Sequence, residues 1–236
     1  MKIEVLYPEI CYLYGDLMNV AYLSRCIPEA EIIRTSLKTS PAFLNGDVDM
    51  VYLCAMTERA QELVIGALRP YKEKIEAFIR TGTIFLVTGN ALEIFIKDIE
   101  NEDSSKIEAL GLFDLTAKRR MMDRYNSLWL GKFGDIDMVG LKSQFTHVYG
   151  DDGDSLFETV RGAGRNPGVL PEGIRRNNFM ATYVLGPLLI MNPPFTKYLL
   201  GLLGLGDRPL AYEDAAMDSY NLRLKEYSDP KRGFDY

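Results

Sequence analysis

Apolar positions in the first hundred residues follow two alternating rhythms. Residues 3–7, 31–35, 49–54 and 83–87 are short runs rich in β-branched and aromatic side chains. The third is apolar almost throughout, the signature of a parallel strand covered on both faces. Between these runs the period becomes helical. Leu17, Val20, Ala21 and Leu23 follow Asp16, which the pattern makes a helix cap. A second helical stretch runs from Thr57 or Glu58 to about Arg80, is interrupted before Pro70 and is closed by Gly82. Strand–helix alternation on this spacing predicts an α/β fold, a doubly wound and mostly parallel sheet with right-handed crossovers. The fourth run stops at Thr88-Gly89-Asn90, and an apolar-periodic segment through Phe95 follows at once. That reads as strand, sharp turn and helix, the elbow on which many α/β enzymes hold their nucleophile. Thr88 occupies its central position, and its hydroxyl is expected to cap the elbow helix.

Beyond residue 100 the texture changes. Residues 101–105 read as a charged loop, and short β-like pieces at 112–115, 127–130 and 137–144 as antiparallel additions to the sheet. Residues 150–173, dense in Gly, Asp and Pro, predict a long surface loop broken by a short strand near 156–160. A further strand at 179–184 ends in Leu185-Gly186-Pro187, and helical segments at 194–203 and 212–227 follow. The tail from Ser228 reads as frayed or docked on a partner, and the apolar stretch from Phe195 to Leu205 as core or, less simply, a docking surface. No repeat or linker divides the chain, so residues 1–236 are expected to form one domain.

Composition narrows the function. With 33 acidic against 27 basic residues the net charge is -6, which excludes a general nucleic-acid binder. Lys118, Arg119, Arg120 and Arg124 form one local basic cluster, either a solvated turn or an anion-binding patch. Cys11, Cys26 and Cys54 have neither metal-ligand nor Cys-x-x-Cys spacing, so a reduced cytoplasmic setting without metal or cofactor is expected. No secretory leader is legible at the amino end. The most apolar region, 179–206, is broken by Pro187, Asn192, Pro193, Pro194 and Lys197, and falls short of the roughly 20 uninterrupted residues a spanning helix needs. Asp151, Asp152 and Asp154 lack the spacing of a calcium loop and read as a solvated acidic turn. Residues 162–168 imitate a dinucleotide motif without its strand–turn–helix context.

In an open parallel sheet, ligands bind outside the carboxyl ends of the strands. Three turns meet there: Cys54-Ala55-Met56-Thr57, Thr88-Gly89-Asn90 and Leu185-Gly186-Pro187. The layout suits acyl transfer from an amide, with a cysteine at the elbow, a histidine on a later strand end and an oxyanion hole of backbone N–H groups.

Four blocks carry a resemblance. Tyr14-Gly15-Asp16-Leu17-Met18-Asn19 is similar to Tyr-Gly-Asp-x-x-Asn. The run from Asn177 through Thr182-Tyr183-Val184-Leu185-Gly186-Pro187 to Asn192-Pro193 is similar to Asn-x-x-Gly-Thr-Tyr-Leu-His-Gly-Pro-Leu-Leu-x-x-Asn-Pro. Gly111 to Arg119 and Gly173-Ile174-Arg175 match two further blocks. Together they resemble class I glutamine amidotransferase domains of the cobyric acid synthase type, which implies a flavodoxin-like α/β fold. The likeness runs furthest with glutaminase subunits of lipid II isoglutaminyl synthases, which work beside a Mur-ligase-like, ATP-dependent synthetase subunit. The departures fall on the chemistry. The family's elbow Cys-Gly-Gly-Tyr-Gln is Thr88-Gly89-Asn90-Ala91-Leu92 here, its histidine falls on Leu185, and its Gly-Gly-Gly turn falls on Cys54-Ala55-Met56.

A thiol is partly ionised at neutral pH and an alcohol is not. Threonine nucleophiles generally use their own terminal amine, and Thr88 is internal. The one histidine, His147, lies outside the matched motif. The expectation is a degenerate amidotransferase-like protein without glutaminase activity, acting as a non-catalytic or regulatory subunit of a peptidoglycan or cobyric acid amidating system. Two alternatives stand beside it. One is a hydrolase using Cys54 with His147. The other is an amino-acid or anion-binding module built from Asn90, Arg124, Tyr14, Asp16 and Asn19, with Arg124 where the family tends to place a substrate-guiding arginine and Gly89, with Cys54-Ala55-Met56, as the former oxyanion turn.

Overall fold

The apolar runs become strands, and a parallel sheet covered on both faces buries the central ones. In a computed structural model, which describes residues 1–150 and 155–234, they are β1 (Lys2–Leu6), β2 (Glu31–Thr35), β3 (Met50–Leu53) and β4 (Ile84–Thr88). Asp151, Asp152 and Asp154 lie outside the described residues. The crossovers are α1 (Met18–Cys26), α2 (Glu58–Leu68) and α3 (Lys72–Thr81). Thr57 caps α2 by accepting the Ala60 N–H at 3.2 Å. Pro70 sits in a tight turn between α2 and α3, and Gly82 ends α3 at φ 90°, a conformation glycine adopts without strain.

The second half is largely β: β5 (Ile96–Glu100), β6 (Lys106–Glu108), β7 (Phe113–Arg119), β8 (Tyr125–Phe133), β9 (Ile136–Gln144), β10 (Thr146–Tyr149), β11 (Phe157–Arg161), β12 (Pro171–Glu172), β13 (Ile174–Arg176) and β14 (Phe179–Thr182). Helices α4 (Leu188–Met191), α5 (Pro193–Leu202) and α6 (Glu213–Ser228) follow. The main sheet has the order β13-β14-β4-β3-β1-β2 and is parallel except for β13. Its two faces bury different layers. Phe85 stands beside Phe179 and meets Phe43, which in turn packs on Phe78 of α3. Tyr52, in register with Leu86, points to the opposite face and reaches Asn19 of α1. Helices thus cover both faces, as the doubly wound pattern requires.

Several expectations change. The antiparallel pieces do not extend the main sheet, apart from β13; they build two further four-stranded sheets, β10-β7-β5-β6 and β12-β11-β8-β9. In the second of these, β8 and β9 form a hairpin of nine pairs, from Tyr125↔Gln144 to Phe133↔Ile136, and β8 pairs on its other side with β11. The elbow helix is a six-residue 3₁₀ turn, Gly89–Ile94, leading through Phe95 directly into β5. Ala91, Leu92, Glu93 and Ile94 are all buried, so the spacing that reads as one apolar helix face belongs to a turn enclosed on every side. The tail through Phe234 is docked on its own chain: the Phe234 carbonyl accepts the Leu128 N–H at 2.8 Å, and the Arg161 guanidinium lies 4.1 Å from the Phe234 ring. Phe195, Leu199 and Leu200 are core, not docking surface. Among the described residues no helix is long and apolar enough to cross a membrane.

Candidate functional site

The three turns after β3, β4 and β14 converge, as the topology demands. Gly89 adopts φ +65°, and a Cβ built on it would stand 2.6 Å from the Ala55 Cβ and 3.3 Å from Leu185 Cδ2. Ala55 and Leu185 therefore close directly over the elbow. Leu185 is held there by paired backbone hydrogen bonds to Leu141 of β9, at 2.9 and 3.1 Å. Thr88, Cys54, Ala55, Met56 and Leu185 are all at most 1 % exposed, so apolar side chains fill the space beside the elbow.

Thr88 does not cap the turn that follows it. Its hydroxyl donates to Asp16 Oδ2 at 2.7 Å and lies 3.0 Å from the Tyr52 hydroxyl. Tyr52 also donates to the Asp16 carbonyl at 2.9 Å and accepts from Asn19 Nδ2 at 2.9 Å. Asn19 Oδ1 accepts the Leu189 N–H at 2.9 Å. Asp16 accordingly does not cap α1, whose start has no side-chain cap; its carboxyl turns inward to meet Thr88. Burial pushes that carboxyl up to about 7, against the lowering effect of Thr88 and of the Ala55 N–H, and its Oδ1 has no hydrogen-bond partner. Among the described residues Asp16 is thus the one base touching Thr88, in a fully buried pair.

The turn after β3 is likewise committed. Met56 N–H donates to Asn90 Oδ1 at 3.0 Å, while Asn90 Nδ2 donates to the Met56 carbonyl at 2.8 Å. Both ends of the Asn90 amide are spent on that backbone. The Cys54 thiol donates to the Cys11 carbonyl at 3.0 Å, and burial raises its pKa well above the ordinary thiol range. His147 on β10 lies 3.4 Å from Gln144 Nε2 and packs on Tyr125; burial lowers its pKa. Cys54 and His147 thus have separate partners on separate elements, and no hydrogen bond joins them.

Arg124 and Tyr14 do come together. Arg124 donates to the Tyr14 hydroxyl at 3.1 Å, and its guanidinium sits 4.5 Å above the Phe145 ring. With Thr57, Asn90 and Gln144 they line a cleft of 160 Å³ beside the elbow. Asp16, Asn19 and Thr88 do not reach it. The basic cluster disperses: Arg119 is buried and donates to Gln61 at 2.6 Å, and Lys118 pairs with Glu100 at 3.7 Å.

Sequence reasoning missed Tyr52, Glu93 and Tyr183. The Tyr183 hydroxyl donates to Glu93 Oε1 at 2.8 Å and Gln61 Nε2 donates to Oε2 at 3.0 Å, bracing the turn from behind. Their signal was a polar atom inside an apolar run, which one-dimensional patterns fold into the core.

A mostly parallel sheet with these strand-end turns gives the chain an α/β fold similar to that of solved glutamine amidotransferases. Its backbone follows a solved glutamine amidotransferase with a TM-score of 0.57 at 17% identity, over 86% of this chain and 98% of that one. A second, from Thermotoga maritima, gives 0.54 at 7% identity, over 95% and 94%. In sequence, the chain is 24% identical over 192 residues to subunit GatD of the glutamine-hydrolyzing lipid II isoglutaminyl synthase of Staphylococcus aureus (strain N315), covering 80% of this chain and 78% of that protein. No protein-family profile matches.

Proposed function

We propose that the chain is a non-catalytic amidotransferase-like subunit, retained as a binding or regulatory partner of an ATP-dependent, Mur-ligase-like synthetase in cell-wall precursor amidation. The observation that carries this reading is the sealed elbow: Thr88 replaces a thiol, donates its proton inward to Asp16, and lies under Ala55 and Leu185. An acyl-transfer site needs a nucleophile that reaches substrate and free N–H donors for the oxyanion. Neither requirement is met by a buried alcohol and a Met56 N–H engaged by Asn90. The partner is inferred from the relative, whose name makes it one subunit of a synthase. The test is ammonia release from glutamine by the purified chain, alone and with its synthetase. The expected rate equals that of a protein-free control; release that disappears in Thr88→Val overturns the proposal.

A second reading is favoured by the cleft beside the elbow. Arg124, aligned by Tyr14 and Phe145, offers a guanidinium to the carboxylate of an amino-acid-sized ligand. Calorimetry with glutamine and glutamate separates the two readings: heat abolished by Arg124→Ala supports a binding module, and a pure scaffold gives none.

A further inference from the structure

On the sheet face that carries α1, a shallow apolar trough runs between α1, the turn after β14 and the start of α6. Its two lobes, of 340 and 280 Å³, share Ile190 and Tyr212 as common walls. Met18, Ala21 and Pro187 also line the first lobe, and Met191 and Ala215 the second. Met18 is 55% exposed and Tyr212 69%, and they stand together on one apolar surface. Tyr212 holds the left-handed conformation, φ 54° and ψ 37°, which a tyrosine adopts only when its surroundings impose it. Its ring consequently stands out between the lobes.

The charges at the trough have one sign. Arg25 lines the first lobe and Arg223 the second; among the described residues no carboxylate lines either, on a chain with 33 acidic and 27 basic residues. An occupant that matches this surface is apolar along its middle and anionic at both ends. The trough is also continuous with the elbow. Asn19 lies next to Met18 on α1 and accepts the Leu189 N–H beside Ile190; its amide then reaches Tyr52, which touches Thr88.

We propose that this trough is the docking surface for an amphipathic helix of a partner protein, its apolar stripe flanked by carboxylates that pair with Arg25 and Arg223. The open, shallow form and the Tyr212 ridge suit a helix laid in a groove and not an acyl chain, which needs an uninterrupted channel. A second copy of this chain has no matching stripe: among its described helices α1 to α6, a large apolar side chain is exposed away from the trough and its edge at Leu222 only at Leu63. The inference rests on the proposed role as a subunit, and specifies where the partner sits.

A photoreactive benzoyl-phenylalanine placed at Tyr212 of the full chain, expressed in its source cell, tests it. The expected product is one discrete adduct whose cross-linked peptide is an apolar segment flanked by Asp or Glu. With that protein purified, Arg25→Glu combined with Arg223→Glu weakens binding at least about tenfold, while the exposed control Leu63→Asp on α2 leaves it unchanged. Unaltered circular dichroism melts establish that the variants are folded. An adduct with a second copy or with lipid, no discrete adduct, or affinity untouched by the arginine reversals overturns the docking surface. An adduct meeting all these criteria but made with a protein that is no ligase overturns the proposed role and leaves the trough standing. A ligase that binds but cross-links elsewhere does the reverse.

Discussion

Asp16→Asn is the substitution whose consequence the structure defines most sharply. The wild-type carboxyl rises from its ordinary 3.8 to about 7 because it is buried beneath the elbow, with Oδ1 unpartnered. A tenfold change in proton affinity is worth about 1.4 kcal/mol, so this rise corresponds to roughly 4 kcal/mol between the two protonation states. The sign follows from linkage. Between about pH 4 and pH 7 the folded chain keeps a proton that the unfolded chain has released. The stability contributed by the neutral acid is therefore complete below pH 3.8, is lost as pH rises towards about 7, and changes no further above it. Glu93, also pushed up to about 7 by burial, adds a slope of the same sign. An asparagine in place of Asp16 cannot ionise and keeps an oxygen for the Thr88 hydroxyl, so only the Asp16 share of the slope disappears. Urea unfolding followed through Trp129, the only tryptophan and fully buried, measures this at half-unit steps from about pH 4 to pH 8. The variant should gain on the wild type steadily across the window, by up to about 4 kcal/mol at the alkaline end. Parallel profiles would show that the folded chain binds no extra proton at Asp16, and would refute the buried-acid account of the elbow.

Three further outcomes are expected. Gly89→Ala drives a methyl to 2.6 Å from the Ala55 Cβ at a positive φ and should cost about 3 kcal/mol or more in thermal unfolding. Adding Ala55→Gly should recover the steric part, and an absence of recovery would mean that Ala55 is not what closes the elbow. Thr88→Cys should release no ammonia from glutamine and react slowly with thiol reagents, because Leu185 supplies no base and the position is fully buried; rapid labelling would contradict the closure. Lys142 and Glu172 form a fully buried pair at 2.5 Å, with Glu172 Oε1 also accepting from Thr182 and the Tyr183 N–H. Lys142→Met alone should cost about 3–5 kcal/mol by leaving that carboxylate unpaired, and the double variant with Glu172→Gln less, as a chemical-denaturation cycle can measure.

Much of the fold was legible because its first half follows local rules. The runs at β1 to β4, the cap at Thr57, the break at Pro70 and the stop at Gly82 are each set by residues within a few positions of one another. The nine-residue ladders of β8 and β9 were legible only as fragments, since pairing partners up to 19 positions apart decide their length. The candidate site divides in the same way. Thr88, Leu185 and Cys54-Ala55-Met56 could be read as departures from a family pattern, and Arg124 and Tyr14 as members of one candidate binding set; that the two meet is visible only in the structure. Asn90 and Asp16 could not be assigned from sequence: one faces a backbone 34 positions away, the other a hydroxyl 72 positions away.

The sequence by itself determined the layered α/β architecture, the position of the elbow and the absence of cysteine and histidine at its reactive points, because chain order and local period are one-dimensional facts. Only the tertiary structure decided what became of that elbow. Whether a threonine hydroxyl faces solvent or a buried carboxyl depends on which side chains the parallel sheet brings to its carboxyl edge. Here those side chains are Ala55 and Leu185 above and Asp16 with Tyr52 below, and close packing between them leaves Thr88 fully buried.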